Sequence, residues 1–510
     1  MRPFHSKRHL LVAAAFVFAF AAAGCVSDEE TGTNPTRDAS FLGYSSPETK
    51  QTTCGNCHPS EQAKWAETKH ATAWADLQAS GHAEPACSRC HTVNGLTNGV
   101  GDSIGFFAVS ADARRFYQDV QCESCHGTGA QHVSAPDETQ PIPTMLVDSN
   151  LADGCASCHN SARHPFAEQF QASRHGQMES WHGSTCQNIC HNGNGAIQVW
   201  APRGRFRESM PPIIAASTGG TVGVPAQPLT CSVCHDPHDA GTLGQTRMSL
   251  TSPDSTQHLC YRCHNRRAEA PLTSSSGPHS AQGGVLFGTA GWAPASWNIS
   301  GPARHGTMEG TCATCHMNAA PVNTAAGAFA VQNTGHTFKA IPCLNPALGS
   351  TGGVDTASAC ADEARDFSAC ATSSCHGSQA SARRAMELLQ AEIRGYGAVL
   401  WVDKNANGSI DAAPTDTGYV PILLRRDSAL VGAAKQFSNT DAVITPAEGG
   451  RFNVQLAVTE GHMDGSLGVH NPGYMRALMQ RTIAAMRTAY TNLPAAPAAV
   501  QAAMGRAGVR

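Results

Sequence analysis

The sequence predicts a mainly α fold with extensive irregular coil and a helical C-terminal cap, and three observations lead there. Close cysteine pairs recur nine times in 510 residues, each followed at once by a histidine. Turn formers are abundant (49 Gly, 29 Pro) while apolar residues make up only 41%, so a large side-chain core is not expected. Past the last cysteine, apolar residues return at helical spacing in 381–400 and 472–493.

Seven pairs have the spacing C-x-x-C-H: Cys54 and Cys57 with His58, Cys87 and Cys90 with His91, Cys122 and Cys125 with His126, Cys155 and Cys158 with His159, Cys231 and Cys234 with His235, Cys260 and Cys263 with His264, Cys312 and Cys315 with His316. Two are wider: Cys186 and Cys190 with His191 (C-Q-N-I-C-H), and Cys370 and Cys375 with His376 (C-A-T-S-S-C-H). This is the attachment pattern of c-type haem. Two thiols must reach the two vinyl groups on one edge of a porphyrin, and the short turn between them brings the next imidazole under the iron as proximal ligand. Extra residues widen that turn without moving the histidine from the second thiol. Structural zinc also uses Cys and His at similar spacings. Zinc does not require histidine at one fixed offset, and no close pair in this chain lacks it. The expectation is therefore about nine covalently attached haems, sites 1–9 in chain order, with buried porphyrins supplying much of the apolar interior.

Residues 1–24 read as an export signal: Arg2, Lys7 and Arg8, an apolar run over 10–23, then Ala22-Ala23-Gly24-Cys25. The run is short for a membrane span. Two readings are open at Cys25: it is the lipidated first residue of an outer-membrane lipoprotein, or it is incidental beside an ordinary cleavage near Ala23. Export suits a chain with 21 cysteines. Residues 25–49 are a polar tether. Residues 50–200 form a haem-binding region for sites 1–5, whose first cysteines recur every 31 to 35 residues as an internal repeat. Residues 201–378 hold sites 6–9 at looser spacing, and 379–510 form the helical cap. Cys343 and Cys360 remain outside the pairs. Either they form a disulfide, or Cys360 joins Cys375 in holding the ninth haem and Cys370 bonds Cys343.

A second axial ligand for each iron must come from the other histidines. Excluding His5 and His9 of the leader, thirteen remain for nine irons. The candidates are His70, His132, His175, His238, His279, His305, His336 and His470, with His82, His164, His182, His258 and His462 behind them.

The stretch over 54–133, with C-G-N-C-H-P-S-E-Q-A-K-W-A-E-T-K-H-A and C-E-S-C-H-G-T-G-A-Q-H-V, resembles the cytochrome c554-like module of multihaem cytochromes c. The segments C-S-V-C-H-D-P-H, C-A-T-C-H-M and G-H-T-F resemble those of large multihaem cytochromes from metal-respiring bacteria. The resemblance covers roughly 50–380 and implies axial roles for His70 and His238. Small residues before Cys25 resemble a lipoprotein cleavage site, and Ser27 in that resemblance favours outer-membrane sorting.

An iron with two histidine ligands has no open position and can only pass electrons. The ligand supply therefore points to an electron conduit at the cell surface, exchanging with other redox proteins and passing respiratory electrons toward an extracellular acceptor such as a metal oxide. Two other classes stay open: a reductase of nitrogen or sulfur oxyanions with one five-coordinate haem, and a protomer of a cytochrome filament. No C-x-x-C-K motif occurs, the lysine-ligated signature of ammonia-forming nitrite reductases. A net charge of −4 provides no basic patch for nucleic acid. Finally, Asp403, Asn405, Asn407, Gly408 and Asp411 match the start of a calcium loop. Pro414 falls where the final acid belongs, so either Asp416 substitutes for it or the segment is a plain Asx-rich turn.

Overall fold

The computed structural model describes residues 41–93, 106–139, 154–177, 229–239, 241–273, 275–299, 301–348, 353–355, 360–429, 435–438, 441–459 and 463–508, with the single positions 141, 190, 191, 193 and 196. The leader, Cys25, most of the tether, Cys186, His182 and His462 lie outside them. The chain is mainly helix and coil, as expected, and its six strands form three two-stranded antiparallel hairpins among the described residues. Two compact units are present: Met1–Leu146 with Ala152–Cys158 and Pro237–Ala240, and Val147–Leu151 with His159–Asp236 and Gly241–Arg510.

In the first unit the helices are short and their beginnings are dictated locally. Pro59 occupies the first position of helix Pro59–Ala66, where its missing N–H is no loss and its fixed φ suits a helix. Strands β1 (Tyr44–Ser46) and β2 (Gln51–Thr52) pair beside it. Two small apolar clusters form: Phe41, Val93, Phe106, Val109, Ala113 and Tyr117 in one, Tyr44, Trp65 and Ala71 in the other. Buried carboxylates tie them together. Asp119 accepts from Tyr44 Oη (2.7 Å) and Trp74 N (2.9 Å) and pairs with Lys50 (3.0 Å). Glu123, inside the third cysteine motif, accepts from Leu42 N (2.9 Å), Gly43 N (2.8 Å) and Gly129 N (2.7 Å).

The second unit contains strands β3 (Ala320–Asn323) and β4 (Phe329–Asn333), paired in register Val322 to Val331, and β5 (Cys343–Leu344) with β6 (Val354–Asp355). Cys343 and Cys360 form a disulfide. The alternative in which Cys360 holds the ninth haem is thereby excluded. Five helices follow: α1 (Gln379–Leu400), α2 (Tyr419–Ser428), α3 (Pro446–Val458), α4 (Pro472–Ala489) and α5 (Ala498–Arg506). Helices α1 and α4 are the two that periodicity predicts, although α4 stops at Ala489 and Tyr490 is extended. Helix α3 carries a signal of its own, T-P-A-E: Thr445 caps the Glu448 N–H while Glu448 reaches back to the Thr445 N–H.

The cap corrects the expectation of a small side-chain core. Leu389, Ile393, Leu400, Val454, Leu456, Met475, Leu478, Met479 and Ile483 pack into one continuous cluster that also takes in Ala268, Ala281, Val285 and Ala290 from the motif-bearing region. Apolar residues are scarce on average but concentrated here at helical spacing. Asn453 fastens the cap to that region, accepting from Trp292 N (2.6 Å) and donating to Trp292 O (2.9 Å). No helix among the described residues is long and apolar enough to cross a membrane.

Candidate cofactor sites

The cysteine motif closes on itself. Its histidine stands four residues after the first cysteine, the span of one α-helical hydrogen bond. His58 N accordingly donates to Cys54 O (2.9 Å), His235 N to Cys231 O (2.9 Å) and His264 N to Cys260 O (3.0 Å). The widened ninth motif keeps the same contact over six residues, His376 N donating to Cys370 O at 3.1 Å. The extra residues are absorbed in the turn, and the histidine still returns to the first cysteine.

Six motif histidines stand opposite a histidine from elsewhere in the chain, with ring centres 6.0 to 6.4 Å apart: His58 with His132, His126 with His238, His235 with His336, His264 with His175, His316 with His470, and His376 with His305. Rings in face-to-face contact would sit near 3.5–4 Å. A metal bonded to both imidazoles at about 2.0–2.1 Å, with about 1.1 Å from nitrogen to ring centre on each side, sets the centres about 6.3 Å apart. The residues therefore fit an iron between each pair. Burial, and then the nearby His91, hold the His70 imidazole below its usual protonation range. Burial, then His264 and His316, pushes His175 down to about 4, and burial, then His235, does the same to His336. A neutral imidazole is the form that binds metal.

For nine of these histidines a partner of the other ring nitrogen is described. Nδ1 contacts a main-chain carbonyl in His91 (Ala73, 2.9 Å), His126 (Pro141, 2.7 Å), His132 (Thr139, 2.5 Å), His235 (Gly244, 2.7 Å), His305 (Val469, 2.8 Å), His316 (Phe338, 2.9 Å) and His336 (Thr334, 3.2 Å). His264 contacts Gln282 Oε1 (3.2 Å) and His470 contacts Asp464 Oδ1 (2.6 Å). Anchoring Nδ1 fixes each ring's orientation and presents Nε2 to the gap.

Residues the sequence did not single out hold these rings. Gln169 is fully buried and accepts from Thr334 N (3.0 Å) and His336 N (3.3 Å), fixing the turn that carries His336. Phe338, at φ 56°, lies in the left-handed region that disfavours a bulky residue. There its ring meets the edge of His175 at 4.4 Å while its carbonyl accepts from His316, so one strained residue serves two pairs. The G-H-T-F motif marked this place through its histidine alone.

The motifs also touch one another. In the first unit the thiols of Cys54 and Cys122, and of Cys90 and Cys158, are close enough to shift one another's ionisation. Cys125 is within electrostatic reach of Cys158. In the second unit Cys190 reaches Cys263 and Cys260 reaches Cys312, with Cys234 acting on both Cys260 and Cys263. Cys315 feels Cys370 and Cys375. The neighbouring motifs are thus first and third, third and fourth, and fourth and second in one unit; in the other the seventh neighbours the fifth, sixth and eighth, and the eighth neighbours the ninth. Cys375 and His376 are exposed.

Other candidates fall elsewhere. His279 forms a backbone bridge with Arg267, His159 meets the edge of Phe166, and His191 is half-buried. His82 and His164 are exposed. His258 is fully buried, its Nε2 against Thr311 Oγ1 (2.7 Å) and its Nδ1 accepting from Cys260 N (3.1 Å), so it braces the seventh motif. In the loop at 403–411, Gly408 N donates to Asp403 and both Asn405 Nδ2 and Asn407 Nδ2 donate to Asp411 (2.9 Å each). Asp416 is buried and accepts from Trp401 Nε1, Lys404 N and Asp411 N. It therefore closes the loop from inside.

Residues 53–127 match the family described as cytochrome c554 and c-prime. The C-type polyheme cytochrome OmcB of Geobacter sulfurreducens is 23% identical over 288 residues, 51% of this chain and 35% of the relative. The C-type polyheme cytochrome OmcC of the same organism is 33% identical over 125 residues, 22% of this chain and 15% of the relative. The matched part thus spans about a third or less of the length of these curated relatives. No solved structure matches the chain.

Proposed function

Since the chain is a multihaem c-type cytochrome, we propose that it passes electrons along nine closely spaced haems, each iron held by two histidines, at the outer membrane or cell surface. When bound, each haem supplies a one-electron ferric–ferrous couple. The observation that carries the reading is the set of six opposed histidine pairs, each with ring centres separated by the space one iron needs and with at least one ring anchored through Nδ1. In site order these are His58 and His132 for site 1 and His126 and His238 for site 3, then His235 and His336, His264 and His175, His316 and His470, His376 and His305 for sites 6–9; site 2 is assigned His91 and His70, which act on one another electrostatically. For sites 4 and 5 the proposal keeps His159 and His191 as proximal ligands, with His279 and a histidine outside the described residues, His182 or His462, as distal ones. Contacts between motifs within each unit supply the continuity a relay needs there, and the exposed ninth site is where the second unit meets a partner. Export, the lipidated Cys25 and an extracellular acceptor such as a metal oxide complete the proposal; they rest on the leader sequence and the resemblance to metal-respiring cytochromes.

Ring geometry gives the test. The angle between two axial imidazole planes sets how unequal the iron d orbitals are. The pairs at 20°, 24° and 27° are expected to give rhombic low-spin signals in electron paramagnetic resonance of the oxidised protein, and the His264–His175 pair at 76° a signal with a distinctly larger highest g value. A substantial high-spin signal that shifts on adding nitrite would replace the relay with a reductase.

The proposal also places calcium among Asp403, Asn405, Asn407 and Asp411. Asp403 Oδ1 is buried with no hydrogen-bond partner, an orphan that a hard cation would take up. Calcium at a hundred times its dissociation constant is expected to stabilise the cap by about 2.7 kcal/mol relative to chelated protein. A melting temperature indifferent to calcium and chelator leaves the segment a plain turn.

A further inference from the structure

We propose that Asp464 makes site 8 the lowest-potential centre of its row, so that electrons moving between the site 7 junction and the exposed site 9 cross an uphill step. This rests on the ligation of site 8 by His316 and His470 in the reading above. Of the nine histidines whose Nδ1 is described against an oxygen, eight meet a neutral one; His470 meets a carboxylate at 2.6 Å. The Asp464 side chain is fully buried and the rest of its hydrogen bonding goes to Ser466, whose N–H (3.3 Å) and hydroxyl both donate to Oδ2. Ser466 Oγ in turn accepts from His470 N (3.2 Å), so the carboxylate, the serine and the ring form one closed unit.

The consequence follows from charge. A buried carboxylate draws the Nδ1 proton toward itself and leaves the imidazole a stronger electron donor at Nε2. A stronger donor favours ferric over ferrous iron and lowers the potential, whereas a main-chain carbonyl polarises the ring far less. The same segment reaches the next site, because Val469 O anchors His305, the partner of His376. Residues 464–470 therefore set site 8 electronically and site 9 by position.

Asp464→Asn keeps the acceptor shape and removes the charge. In spectroelectrochemical titration of the haem-loaded protein, the component at the low-potential end is expected to move upward while the others stay in place. A tenfold loss of ferric preference reads as about 59 mV for a one-electron couple. Ser466→Ala removes a competitor for the carboxylate and keeps its charge, so the same component is expected to move downward; this variant serves if Asp464→Asn does not fold. Titrations of both variants superimposable on the parent overturn the proposal. His470→Ala separates the two readings: a new high-spin signal supports ligation by His470, so an unmoved potential then condemns only the role of Asp464, whereas an unchanged low-spin spectrum removes both.

Discussion

Replacing Cys260 and Cys263 by alanine is expected to disconnect sites 5, 6 and 8 from one another while most of the protein's haem remains in place. Site 7 is where the row branches, since its cysteines interact with those of sites 5 and 8 and lie within electrostatic reach of site 6. Electron transfer is steeply distance-dependent, and with that centre gone the remaining steps must bypass it. Reoxidation of the reduced protein by an insoluble acceptor should slow by about tenfold or more, a change that a barrier increase of about 1.4 kcal/mol already produces. Removing Cys231 and Cys234 takes out a branch and leaves 5–7–8–9 continuous, so its effect should be small. If the double variant misfolds, His175→Met keeps the haem and raises the potential at the junction, again slowing passage onward. Equal rates in all three proteins would mean that site 7 is not a junction.

The second large effect is on stability. Glu123 is 2% exposed and accepts three main-chain hydrogen bonds, two of them from Leu42 and Gly43 some eighty residues earlier. Glu123→Ala leaves those N–H groups without an acceptor in the interior, at an expected cost of about 3–5 kcal/mol. Glu123→Gln retains part of the acceptor capacity and should cost about 1–3 kcal/mol. Denaturant unfolding measures both. Hydrogen exchange should locate the loss at Leu42 and Gly43, with the C-terminal helices unaffected. A global loss shared by α1 and α4 would contradict the separation of the two units.

What could be read from the chain divides along physical lines. The motif histidines were legible because covalent chemistry fixes the offset between thiol and imidazole. The opposed histidines were legible as a set, and His70 and His238 stood out by resemblance, yet the pairing was not: His126 meets His238 and His264 meets His175 across long stretches of chain, and sequence spacing does not encode such closures. Periodicity found α1 and α4. It passed over α2 and α3, although the Thr445 and Glu448 capping pair marked the start of α3. Composition misjudged the core because an average over 510 residues dilutes a cap whose apolar positions are concentrated. Glu123, Gln169 and Asp464 escaped notice for a common reason: each looks like an ordinary surface polar residue until folding buries it against the groups it holds.

The central claim is that each iron has both axial positions filled by this chain's histidines. Carbon monoxide added to the fully reduced, haem-loaded protein tests it most directly, since it binds ferrous iron only where an axial position is open. The Soret band is expected to stay where it is. A shift corresponding to one or more haems per chain would reveal a vacant coordination site and contradict it.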